Sequence, residues 1–261
     1  MVVRYRRRGG WRQGVGIPGA PRGFTLVELL TVMAVVAVLS GMLLASVSHA
    51  MQRGKRARCT SNLKQIITAA HLYAGDNHGR YSDARAIGTR DVNFLWSYVG
   101  RATGTFICPS TRNRVSLALD GDGRVRDLKQ LAADRSGVGV SYLLSPFMGW
   151  KTPYFTDFPG PHGDERVYSV LKTEATVSSY VHYNTPFNLK GVVPGPTGIF
   201  LLTDNTYGGT QDWPDPEDNH GTPGANAVYL DGHAAWNPRS GYVFAHEYSQ
   251  DDGRSTIEPN R

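Results

Sequence analysis

Three groups of residues in this 261-residue chain have the types and spacing that chemistry needs. His220, Asp231, His233 and His246 fall in one region, and imidazole with carboxylate is a zinc ligand set. Asp231 is nevertheless explained by a turn with Gly232, and His233 by the strand position after it. Neither an HExxH helix nor a GxSxG elbow is present, so the chain reads as no enzyme. The second group is acidic: Asp204, Asp212, Asp215, Glu217 and Asp218 crowd one loop region. Calcium takes several flexible oxygen ligands, which makes Asp212, Asp215 and Asp218 the candidates for it. A solvated acidic loop accounts for the same residues without an ion. Asp120-Gly121-Asp122-Gly123 lacks the remaining EF-hand ligands and reads as a loop of two turns. The third group is Cys59 and Cys108, the only cysteines. They could close one disulfide on the extracytoplasmic side, or stay unpaired.

Glu28 stands apart from these groups, a lone carboxylate at the head of an apolar run. Residues 29–47 carry no charge, LLTVMAVVAVLSGMLLASV, which is about the length of a bilayer-spanning helix. A carboxylate there costs a few kcal/mol at depth and less near the interface, so it is expected to have a partner. Arg4, Arg6, Arg7, Arg8, Arg12 and Arg22 precede the run with no acid among them, and they account for the whole formal charge of +6. The rest of the chain is formally neutral, which leaves no basic stripe on a folded body for nucleic acid. The same arginines hold the leader in the cytoplasm and send the body outward.

Beyond the run, Cys59, Leu63, Ile66, Ile67, Ala70, Tyr73 and Ala74 recur at steps of three and four, one apolar face of a helix. Arg56, Thr60, Lys64, Gln65 and Thr68 make the opposite, polar face, and Gly75-Asp76-Asn77 supplies a stop. A helix over 24–74 would be on the order of 75 Å long at about 1.5 Å per residue. Residues 76–261 read as short strands broken by Gly and Pro. The best strand candidates are 105–109, 138–144, 178–183, 198–202 and 227–230, with a short helix near 125–133. Residues 227–230 and 233–236 joined by Asp231-Gly232 read as a tight hairpin. The expected fold is α+β: a long N-terminal helix, membrane half plus amphipathic half, packed on an antiparallel β-sheet head.

Gly23-Phe24-Thr25-Leu26-Val27-Glu28 resembles the cleavage site of type IV prepilins and type II secretion pseudopilins. The resemblance implies that a prepilin peptidase cuts between Gly23 and Phe24 and methylates the new amine of Phe24. It also implies that Glu28 pairs with the amine of a neighbouring subunit and sets axial register in a filament. The segment 218–236 resembles the H-X9-DG module of a subset of these proteins, through His220, Asp231 and Gly232. Ten residues rather than nine separate His220 from Asp231. Cys59-Thr60-Ser61-Asn62-Leu63-Lys64-Gln65, Cys108-Pro109-Ser110 and Ser141-Tyr142 agree with that subset.

The organisation expected is a leader over 1–23, a transmembrane or filament-core helix half over 24–52, an amphipathic half over 53–75, and an extracytoplasmic head over 76–261. The chain would sit in the inner membrane with a single pass, then in a filament, its partners being prepilin peptidase and other pilin or pseudopilin subunits. Two readings compete with this one. Ser48-His49-Ala50 could serve as an ordinary signal-peptide site, releasing a soluble protein from Met51. Alternatively, a secreted or membrane-tethered, non-polymerising protein could bind polysaccharide through Trp213, Trp236 and nearby tyrosines.

Overall fold

The computed structural model describes residues 23–83, 91–132, 135–149, 170–182, 185–204, 214 and 218–251. It divides at Ser48 and His49 into two units, joined within one helix, α1 (Leu26–Asp76).

In the first unit, the large apolar side chains from Phe24 to Val47 are 51–79% exposed, and nothing among the described residues covers them. The helix is long and apolar enough to cross a membrane. Such a helix, hydrophobic all round, is at home only inside lipid or protein.

In the second unit the sequence periodicity becomes a buried face. Cys59, Leu63, Ile66, Ile67, Ala70 and Ala74 are at most 1% exposed. α1 ends where Gly79 N–H reaches the Ala74 carbonyl at 2.8 Å and His78 and Gly79 turn left-handed. After it come α2 (Asn93–Trp96), a 3-10 turn over Thr103–Phe106 and another over Arg126–Lys129. Then follow β1 (Tyr142–Leu144), β2 (Phe147–Met148), β3 (Val170–Leu171), α3 (Glu174–Ser179), α4 (Gly195–Gly198), β4 (Phe200–Asp204), β5 (Gly224–Tyr229), β6 (Ala234–Pro238) and α5 (Arg239–Gln250).

The main sheet has the order β1-β4-β5-β6, antiparallel throughout. β2 and β3 make a separate pair. Every residue of β4 and β5 is buried, because helices lie on both faces. Leu201, Leu202, Val228 and Leu230 join the α1 face in one core, while Phe200, Ala227 and Tyr229 face the other way. On that side the Phe200 ring lies 6.0 Å from His246 of α5.

The structure corrects three readings of the sequence. Residues 105–109 form no strand, since the 3-10 turn runs through Phe106. Among the described residues of 178–183 no expected strand forms, since α3, which a capping box starts, takes Ser178 and Ser179. Thr173 Oγ1 accepts from Thr176 N–H and Thr176 Oγ1 from Thr173 N–H, so two of the helix's otherwise unpaired donors are satisfied. The hairpin at Asp231-Gly232 has a three-residue loop rather than a two-residue one. Tyr229 N–H bonds to the His233 carbonyl, Gly232 takes φ 91°, and buried Leu230 is drawn into the core.

Candidate functional site

Two places carry the residues that the sequence singled out. At the start of α1, Thr25 is the N-cap and Glu28 the third helical residue. Glu28 Oε2 accepts from both the Thr25 N–H and the Thr25 hydroxyl at 2.8 Å, and Thr25 Oγ1 accepts from Glu28 N–H at 3.2 Å. This is a capping box, a local use of Glu28 that the S/T-x-x-E spacing of Thr25 and Glu28 already contained. Gly23 has open space around it: a Cβ there would meet nothing within 4 Å. Phe24 is exposed beside it. Among the described residues nothing packs against the bond between Gly23 and Phe24, which stands immediately before the helix start.

The second place is a buried polar node between α1 and the sheet. Asp204, at the end of β4, accepts from Asn226 N–H at 2.6 Å and Asn226 Nδ2 at 2.8 Å on one oxygen. Its other oxygen accepts from Asn219 Nδ2 at 3.1 Å. Asn219 Nδ2 also donates to the Ser141 carbonyl, and Asn226 Oδ1 accepts from the Thr60 hydroxyl of α1 at 3.1 Å. His220 Nδ1 lies 3.0 Å from Ser110 Oγ, and its Nε2 lies 3.5 Å from Asp204 Oδ2 and 3.6 Å from Cys108 Sγ. Cys108 is joined to Cys59 of α1 by a disulfide, with the Cα atoms 5.3 Å apart. Asn62, one turn farther along α1, donates to the Ile107 carbonyl at 2.9 Å and to the Tyr142 hydroxyl.

Burial pushes the His220 ring below the ordinary histidine range, against the pull of Asp204. It is therefore neutral near pH 7. Each oxygen of the buried Asp204 carboxylate has a donor, as a buried charge requires. The arrangement is a set of polar side chains bonded to one another. What it can do is hold α1 against the head. A covalent bridge, the Thr60–Asn226 bond and the Asn62 bonds all cross the same interface.

The N-terminal sequence has counterparts among known proteins. Residues 20–44 match the family described as the prokaryotic N-terminal methylation motif. Over 66 residues the chain is 32% identical to the type IV wide pilus major component PilA4 of Thermus thermophilus, covering 25% of this chain and 50% of that one. The N-terminal part of the chain is thus similar to that of type IV prepilin-like proteins. The chain spans half the length of the curated relative it matches, and no solved structure matches it.

In the head the strings around Cys59, Cys108 and Ser141, far apart in sequence, meet at one node. Their common neighbour is Asp204, which the sequence had placed among loop acids. Two residues of the expected polar face turn inward as well: Thr60 into the node, and Arg56 over the Trp236 ring at 4.1 Å. The edge of the His220 ring meets Trp236 at 5.6 Å, so two side chains already pack on the indole that could have stacked on sugar. Trp213 lies outside the described residues.

His220 does not reach the Asp231-Gly232 turn. It contacts β6 at Trp236, opposite Asn226, at the other end of the hairpin. Asp231 instead accepts from His233 N–H at 3.0 Å and lies 2.6 Å from His233 Nδ1, while His233 stacks on Tyr229. His246 is on α5 near Phe200 and Tyr242. The histidines that sequence groups together are thus at three separate places. Of the calcium candidates, Asp212 and Asp215 lie outside the described residues, and Asp218 is buried at 1% exposure. Sequence reasoning missed His182, Glu247 and Asp251, which the fold gathers from the segment after α3 and from the end of an unforeseen helix.

Proposed function

We propose that the protein is a filament subunit, cut between Gly23 and Phe24, methylated on Phe24 and assembled through the apolar half of α1. The observation that carries this reading is the apolar half itself. It is uncharged from Leu29 to Val47, exposed on every side, and begins at a capped glutamate. Removing that surface from water is worth roughly 25 cal/mol per Å², so it needs lipid before assembly and neighbouring helices after it. In the filament each Glu28 would meet the Phe24 amine of the next subunit. Prepilin peptidase, the inner membrane and other pilin-type subunits are then the partners, with the leader cytoplasmic and the head on the far side.

The node fits the mechanical side of this role. A subunit held by its helix and loaded through its head needs the two fastened together. A bridge and several buried hydrogen bonds do so at the level of Cys59 to Asn62.

Shearing surface fibres from cells that express the chain with its own assembly genes tests the proposal. The chain is expected in the sheared fibre fraction. Its confinement to the membrane or to the soluble fraction, while fibres form normally, would refute it.

A further inference from the structure

Behind the sheet, away from the α1 node, three ionisable residues meet in the interior. His182, Glu247 and Asp251 are each at most 1% exposed. Glu247 lies in the last turn of α5, and Asp251 is the left-handed C-cap just beyond it, its N–H bonded to the Glu247 carbonyl at 2.8 Å. One nitrogen or carboxylate oxygen from each of the three lies within 4.8 Å of the others.

The hydrogen bonds around the group decide which atoms point inward. His182 Nε2 lies 2.8 Å from the Tyr248 carbonyl oxygen. A carbonyl can only accept, so Nε2 carries the hydrogen. In the neutral ring, Nδ1 then presents a lone pair. That atom is buried, has no hydrogen-bond partner among the described residues, and faces Asp251 Oδ1 at 3.2 Å. The other oxygen of Asp251 accepts from the Tyr180 hydroxyl at 2.6 Å. Two lone pairs facing each other in a dry interior repel, and a cation between them removes the conflict. A ring whose far nitrogen donates to a backbone carbonyl, beside a carboxylate held by a second hydrogen bond, is how metal ligands are oriented.

We propose that His182 Nδ1, Glu247 and Asp251 bind one divalent transition metal, with zinc as the ion to test. Imidazole nitrogen and carboxylate oxygen are both zinc ligands, and water can complete the tetrahedron. The site would fasten the end of α5 to the segment that follows α3, independently of the filament reading. The rival explanation is a doubly protonated His182 ion-paired with Asp251.

The test uses the full-length chain in detergent, stripped with a chelator and titrated with zinc against a competing indicator. One zinc per chain is expected, with a rise in Tm. In Glu247→Gln the affinity should fall at least about tenfold, while in His182→Ala the site should be lost. His220→Ala should bind as the wild type does. Should His182→Ala fail to fold, the wild type alone decides: cobalt should give visible d–d bands, and zinc should shift the His182 Nδ1 resonance. No zinc uptake by the stripped wild type, uptake equal in Glu247→Gln and wild type, or a zinc-saturated His182 still protonated on both nitrogens would each overturn the proposal.

Discussion

Glu28→Ala is expected to abolish incorporation into filaments while leaving cleavage at Gly23–Phe24 intact. Glu28 has two separable properties. As the acceptor of the capping box it bonds Thr25 twice at 2.8 Å, and losing a cap costs about 1 kcal/mol. In the proposed filament its charge would lie in an apolar core against the Phe24 amine of the next subunit, where a pairing counts for far more than at a surface and its loss would stop polymerisation. Two further variants separate the properties. Glu28→Gln keeps an acceptor for the cap but removes the charge, and is expected to fail like alanine. Thr25→Ala removes the cap and keeps the charge, and is expected to assemble. Quantifying sheared fibres from the three strains reads the result. If Glu28→Gln assembled at the wild-type level, Glu28 would matter as a helix cap and not as a charge.

Removing the bridge by Cys59→Ser with Cys108→Ser is expected to cost about 4 kcal/mol. The bonded residues are 49 apart in sequence, and the chain-entropy term for a loop of that size is about 4 kcal/mol. For a unit of this size the melting temperature should fall by roughly 8–16 °C. Thermal unfolding of the full-length chain in detergent, followed by near-UV circular dichroism, measures this. Added reductant should lower the wild type toward the double variant and leave the variant unmoved. A difference under about 2 °C would mean that the polar contacts of the node hold α1 to the head without the bridge.

The sequence made α1 legible because its signal is long and redundant. An uncharged run, a stripe at steps of three and four from Cys59 to Ala74, and a Gly75 stop all point to one element. β5 and the hairpin after it were legible for a similar reason, since Asp231-Gly232 punctuates two apolar runs. Tertiary context decided the rest. Ser178 and Ser179 fell within an expected strand, but the Thr173–Thr176 capping box commits them to a helix. α5 was missed because Pro238 and Gly241 interrupt its pattern, although Pro238 merely precedes it. β4 begins two residues later than expected because Pro194 and Pro196 wind α4 first. Of the node, the strings around Cys59, Cys108 and Ser141 were recognisable singly. Their meeting at Asp204 needed the register Tyr142↔Asp204 between β1 and β4, which no local pattern encodes.

In the proposed function a cut that frees Phe24 beside Glu28 makes this chain a filament subunit. Mass spectrometry of the N-terminal peptide of the mature protein, purified from its native membrane or fibre, reads that cut. The expected peptide begins at Phe24 and carries one extra methyl group on its amine. A peptide beginning at Met51 would mean that the apolar helix is discarded, and would contradict the account.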